Sequence, residues 1–133
     1  MIKLEIVTPE RRVFDADVDS VVVPTASGEI GIFTDHVPLI SALKPGILQA
    51  NHGGAGDRLA VGGGFVEVSS NKVAVLTDNA VTPDEIDIEA ERREKKEAEQ
   101  ALQAVASSPL DETEAERERL ETADIKLRLA ADR

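Results

Sequence analysis

The chain has no cysteine, no tryptophan and no tyrosine, and three phenylalanines are its only aromatic residues. Without cysteine there is no disulfide framework, no thiol nucleophile and no thiolate metal site. With so few aromatic anchors, the core that 41% apolar residues can build is aliphatic, made of Val, Ile, Leu and Ala. Basic residues are scarce as well: 15 Lys and Arg stand against 26 Asp and Glu, for a net charge of −11. So acidic a chain does not replace the counterions of DNA or RNA, and anionic lipid repels it.

Long apolar runs are missing too, and none approaches the roughly 20 residues that span a bilayer as a helix. The first residues, Met1-Ile2-Lys3-Leu4-Glu5, carry neither the basic stretch nor the continuous apolar segment of a secretory signal. These absences predict a soluble, cytoplasmic protein. Its 133 residues suffice for one ordinary domain, or for a small domain with an appendage.

What is present divides in two. Up to about Asn79 the pattern is β: Ile2, Leu4 and Ile6 alternate with polar residues, Thr8-Pro9-Glu10 turns, and Val18 with Val21-Val22-Val23 gives a strand closed by Pro24. Leu39 to Leu43 leads into the Lys44-Pro45-Gly46 turn, and Ile47 to Ala50 resumes. Asn51 to Asp57 reads as a glycine-rich hairpin tip before Leu59, Val61, Phe65, Val66 and Val68, and Ser69-Ser70-Asn71 turns the chain into Val73 to Leu76. Short strands at regular spacing predict an antiparallel sandwich or barrel of about eight to ten strands, the sandwich being favoured.

One segment of this half stands apart, from Gly28 to Leu39. It holds two glycines three apart, an alternating Ile30 and Ile32, and then Asp35, His36, Val37 and Pro38. The pattern is a short strand leaving a bend, with apolar surface to tuck into its own sheet or present to a partner.

Past Thr82 the character changes, which sets the expected units at residues 1–82 and 83–133. From Asp84 onward the chain carries 16 of the acidic and 9 of the basic residues and no glycine, a helical composition. Asp84 and Glu85 are expected in the first turn, near the positive end of the helix dipole. Ala98, Ala101, Leu102 and Val105 form one stripe; Leu120, Ala123, Leu127 and Ala130 form a second, flanked by Ile125 and Leu129. Ser107-Ser108-Pro109-Leu110-Asp111 breaks the helix between them. The result is a helical hairpin with a narrow seam, marginal alone at about 25 cal/mol per Å² of buried apolar surface.

Chemistry-bearing motifs are few. Gly62-Gly63-Gly64 follows a strand, yet no Lys-Ser or Lys-Thr pair follows it and the next residues continue as a strand, so a bulge or tight crossing is the better reading than a phosphate loop. His36 and His52 lack partners at metal-ligand spacing, and Asp35 and His36 point to opposite faces of an extended segment. No serine lies in a nucleophile elbow. The run Glu89 to Glu97 reads as a solvated helix face stitched by pairs three or four apart. The alternative is an electrostatic latch in which Arg92, Arg93, Lys95 and Lys96 meet an acidic partner.

Taken in order, Gly28-Glu29-Ile30-Gly31-Ile32-Phe33, His36-Val37-Pro38-Leu39, Lys44-Pro45-Gly46, Gly63-Gly64-Phe65-Val66-Glu67-Val68 and Val73-Ala74-Val75-Leu76 closely resemble the epsilon subunit of bacterial F-type ATP synthases. The resemblance covers essentially the whole chain and implies a ten-stranded β-sandwich followed by two helices. It also implies a non-catalytic subunit of the rotating central stalk, on the cytoplasmic face of the inner membrane. Its partners would be the gamma subunit, the c-ring and, when the hairpin extends, the alpha/beta catalytic head, where the hairpin hinders hydrolysis. By the same resemblance Glu29, Ile30 and Gly31 touch the c-ring, and His36, Val37, Pro38 and Leu39 lie near gamma.

Some members of that family bind ATP through Ile or Leu, Asp, two free positions, Arg and Ala at the start of the first helix. Here Ile86 and Asp87 fit, but Ala90 and Glu91 stand where Arg and Ala are expected, and Thr122 and Lys126 occupy positions of arginines in the second helix. A triphosphate would meet too little positive charge, so no cofactor is expected. The rival reading is a free-standing nucleotide sensor of the same architecture.

Overall fold

The computed structural model describes residues 1–34, 38–104 and 110–131. Among them are ten strands: β1 (Ile2–Val7), β2 (Arg12–Val18), β3 (Ser20–Thr25), β4 (Gly28–Phe33), β5 (Leu39–Leu43), β6 (Gly46–His52), β7 (Ala55–Val61), β8 (Gly64–Ser69), β9 (Lys72–Thr77) and β10 (Ala80–Val81). A 3-10 turn, Pro83–Glu85, leads to helices α1 (Ile88–Ala104) and α2 (Leu110–Ala131). The expected break at Ser107-Ser108-Pro109 and the stripe position Val105 lie outside the described residues.

The strands pair in the order β10-β7-β6-β3-β5-β8-β9-β1-β2, with β4 added on β3. Alternation decides the facing: Ile2, Leu4 and Ile6 of β1, Val66 and Val68 of β8, and Val73 and Val75 of β9 are buried, while their neighbours are half-buried or exposed. Strands from opposite ends of this path share one aliphatic core, with Leu59 and Ala80 in the same cluster as Leu4 and Val18. A flat sheet would hold them far apart at about 4.8 Å per strand. The sheet therefore folds over on itself into two layers, and β2 packs against β6.

The ladder is antiparallel except between β1 and β9, which run parallel. Neighbours running the same way need a crossover connection, and here the intervening strands supply it. At the corner, β3 pairs with β6 through Ser20 to Val22 and reaches β5 only at Thr25. Pro24 sits where the partner changes, packed on Gly46 so closely that a Cβ there would lie 2.7 Å from the proline ring. Pro24 thus lies within the strand rather than closing it, and Arg12–Val18 is a separate strand that the valine pattern alone does not reveal. The expected hairpin tip shrinks to Gly53-Gly54, both at positive φ, with His52 paired to Ala55.

The triple glycine is a tight crossing. A Cβ on Gly64, whose φ is 151°, would come within 1.9 Å of the Leu76 carbonyl oxygen. Gly62 N donates to the Asn79 carbonyl, and the Gly63 carbonyl accepts from Asp78 N and Thr77 Oγ1.

Helix α1 starts four residues later than the sequence suggests. Pro83 opens the 3-10 turn, in which Thr82 N and Oγ1 both donate to Glu85 Oε1, and Ile86 then turns extended. Asp87 caps α1, its Oδ1 accepting from Ala90 N at 3.1 Å. The hairpin lies on the sandwich: Ile125, Leu129 and Ala130 of α2 bury with Ile86 against Ala60, Ile47 and Val81. Residues expected only to flank the second stripe, Ile125 and Leu129, are thus its sheet-facing contacts, while Ala98 and Ala123 are buried in the hairpin itself.

Candidate functional site

The β3–β4 hairpin makes a narrow tip. Thr25 Oγ1 donates to the Gly28 carbonyl at 2.6 Å and accepts from Ser27 N, and Gly28 takes a φ of 113°. The tip fixes the phase of β4: Glu29, Gly31 and Phe33 face outward and are exposed, while Ile32 is buried and Ile30 packs against the core. Phe33 lies over Gly31, at a distance where a Cβ on Gly31 would make ordinary van der Waals contact with the ring. Of the three residues expected at the c-ring, Glu29 and Gly31 therefore share a free face, Ile30 does not, and Phe33 joins it.

Glu29 also lines a groove of about 780 Å³ between this tip, the Lys44–Gly46 turn and α2, whose wall includes Arg117, Asp124 and Arg128. Lys44 Nζ reaches Glu121 of α2 at 3.8 Å across it. Of the residues expected near gamma, Pro38 is exposed and Leu39 packs against the core; His36 and Val37 lie outside the described residues. His52 pairs across its hairpin with Asp57, Nε2 to Oδ2 at 3.0 Å, in an exposed position.

The second constellation sits between the helices. Ala90 and Glu91 of α1 and Thr122 and Lys126 of α2 line one cavity of about 610 Å³ with Glu94 and Arg119. Lys126 Nζ stands 3.4 Å from Glu91 Oε1, both side chains about 15% exposed. Beside them Arg119 donates to Glu94, to Glu116 Oε2 at 3.0 Å and to Glu97 Oε2 at 3.4 Å. Its guanidinium holds the Glu94 carboxyl below the usual carboxylate range, and Glu94 in turn raises the pKa of Arg119. Lys95 meets Asp124 at 2.8 Å, which raises the lysine pKa. Ile86 and Asp87 do not join the cavity: the first is buried under α2, and the second caps α1.

The charged run of α1 is therefore not only a solvated face. Arg92 pairs within the helix with Glu89, but Glu91, Glu94, Lys95 and Glu97 reach across to α2. Periodicity within α1 cannot show this, because the partners lie on α2, between 22 residues (Glu97 to Arg119) and 35 residues (Glu91 to Lys126) downstream. Arg11, in the β1–β2 turn, pairs with Glu85 and ties the sandwich to the start of the hairpin. The Thr82 amide and this guanidinium hold the Glu85 carboxyl below its ordinary range.

Three comparisons meet this arrangement. Residues 1–83 match the family described as ATP synthase, Delta/Epsilon chain, beta-sandwich domain. The ATP synthase epsilon chain of Desulforamulus reducens is 46% identical over 105 residues, covering 79% of the chain and 80% of that protein. That of Halalkalibacterium halodurans is 37% identical over 130 residues, 98% of the chain and 92% of the relative. The chain belongs to the ATP synthase epsilon chain family.

Among solved structures, a chain in the cryo-EM structure of the Euglena gracilis mitochondrial ATP synthase, which includes the c-ring, matches 99% of this chain and 81% of its own length, with a TM-score of 0.79 at 27% identity. A chain of the Tetrahymena thermophila mitochondrial ATP synthase, from its central stalk and c-ring, shares the fold at 16% identity with a TM-score of 0.66. Family membership removes the free-standing sensor as the first reading. No helix among the described residues is long and apolar enough to cross a membrane.

Proposed function

We propose that the chain is a non-catalytic rotor subunit of a proton-translocating ATP synthase, with two units, a β-sandwich (1–82) and a helical hairpin (83–133). The sandwich couples the gamma subunit to the c-ring, peripheral to the cytoplasmic face of the bacterial inner membrane. What supports this most is that sandwich and hairpin together, over 99% of the chain, match a chain of a c-ring-bearing ATP synthase. Glu29, Gly31 and Phe33 form the ring-facing edge, since they share the exposed face of β4. Pro38, which is exposed, marks the segment that contacts gamma.

The hairpin in its docked arrangement leaves the catalytic head free; released, it extends along the stalk and hinders hydrolysis. No resident cofactor is needed. Regulatory ATP is disfavoured, because the Lys126 ammonium already has a carboxylate partner in Glu91.

The test is Glu29→Lys in the assembled synthase. Proton-coupled ATP synthesis should fall while the melting temperature of the isolated subunit stays within about 2 °C, as for an exposed substitution. Equal losses in both would assign Glu29 a structural role instead.

A further inference from the structure

Glu29 stands opposite Pro24 in the β3–β4 ladder. Pro24 has no N–H to give it, and the Pro24 carbonyl is turned away to accept from Lys44 N at 3.0 Å. The residue before it, Gly28, takes a φ of 113°, a conformation that side-chain-bearing residues rarely adopt. Glu29 is also exposed, so packing does not orient its side chain. What fixes it is the peptide at its base.

That peptide is gripped by one side chain. Thr25 is 1% exposed, and its hydroxyl donates to the Gly28 carbonyl at 2.6 Å while accepting from Ser27 N at 3.2 Å. The Gly28 carbonyl and the Glu29 nitrogen belong to one planar peptide unit, so holding the first sets the plane from which Glu29 starts. Thr25 is itself anchored from behind. It pairs with Leu43 of β5 as well as with Gly28, and the following amide, Ala26 N, donates to the Ala42 carbonyl at 3.1 Å. On its other side the Pro24 ring is pressed onto Gly46.

We infer that Thr25 is a positioning residue for the ring contact, its hydroxyl fixing the Gly28–Glu29 peptide and thereby aiming the Glu29 carboxylate at its partner; the inference rests on the rotor reading above. A charged group held in one direction meets its partner without first losing the freedom to swing. A hydroxyl that only satisfied the turn would matter for stability alone. One that aims Glu29 matters for ring engagement, and only while the carboxylate is present.

The test titrates full-length variants into membranes carrying a synthase without its epsilon chain, and reads the concentration that half-restores ATP-driven proton pumping. Thr25→Val keeps the shape and removes the hydroxyl, Thr25→Ser keeps the hydroxyl, and Thr25→Ala is a second hydroxyl-free chain; circular dichroism and thermal melting check each fold. Thr25→Val and Thr25→Ala should raise the half-restoring concentration about tenfold, the scale of one net hydrogen bond, and Thr25→Ser less than about threefold. On a Glu29→Ala background, Thr25→Val should add less than about twofold, because the residue acts through the carboxylate that is no longer there. Affinity for a soluble catalytic head with gamma, which has no ring, should not change with Thr25→Val. A tenfold loss that persists on the Glu29→Ala background, or an equal loss on the soluble head, overturns the inference and leaves Thr25 a purely structural residue. Folded hydroxyl-free chains that restore pumping at the wild-type concentration overturn it as well, with the rotor reading intact. A wild-type chain that restores no pumping at any concentration overturns both.

Discussion

Lys126 Nζ lies 3.4 Å from Glu91 Oε1 between the two helices, with 15% and 14% of the side chains exposed. The pair occupies the cavity that gathers four positions of the degenerate nucleotide motif, Ala90, Glu91, Thr122 and Lys126. An internal carboxylate therefore already neutralises the cation that a phosphate would need. Calorimetry on the isolated chain should show no ATP binding with a sub-millimolar dissociation constant. Lys126→Ala should destabilise the hairpin by about 1–3 kcal/mol in urea melts, because it leaves Glu91 half-desolvated without its partner. The double variant Glu91→Ala/Lys126→Ala should recover part of that loss, and a fully additive double-mutant cycle would remove the pair from the account.

Leu129 is 1% exposed and lies where α2 meets the sandwich. Leu129→Ala should cost about 2–4 kcal/mol of hairpin docking, the transfer and cavity terms together. In the assembled synthase this shifts the hairpin toward its released arrangement and should lower ATP hydrolysis, whereas deleting everything after Thr82 should raise it. Hydrolysis unchanged in both would remove the inhibitory role.

Acid should loosen the hairpin. Glu94, held by Arg119, and Glu85, held by the Thr82 amide and Arg11, both have folded-state pKa values below the ordinary 4.5. A carboxyl depressed on folding adds stability that is fully present above its unfolded pKa and lost as pH falls through the folded one. Docking should thus be constant from neutral pH to about 5 and decline below 4.5, read from NMR signals of the α2 amides. Glu85→Gln and Glu94→Gln together should flatten that decline; an unchanged profile would place the acid sensitivity elsewhere. Glu5, whose carboxyl is lowered by Lys72 and Arg12, acts in the same window on the sandwich, so the strand signals serve as the reference.

Much of the sandwich is legible in the alternation of Ile2-Leu4-Ile6, Val66-Val68 and Val73-Val75, because a period of two leaves one facing per strand. The strand Arg12–Val18 is not, since its burial pattern carries no clean alternation. The parallel pairing of β1 with β9 depends on how the sheet wraps, which local pattern does not encode. At the hairpin, the stripe rule finds Ala98 and Ala123 but ranks Ile125 and Leu129 as flanks, because α2 serves two surfaces at once and the sheet takes the larger side chains. The exposure of Phe65 and Leu76 also has a signal in the sequence: with Val66 and Val75 inward, both must face out. Interhelical partners of Arg119 have none, being set by the packing of α1 on α2.

The most direct measurement is ATP-driven proton pumping by membranes in which a synthase lacking its epsilon chain is reassembled with the purified protein. The rotor role predicts that the chain restores stable attachment of the catalytic head to the c-ring and pumping with it. Hydrolysis that stays uncoupled, with the head no better retained than when the chain is withheld, would contradict it.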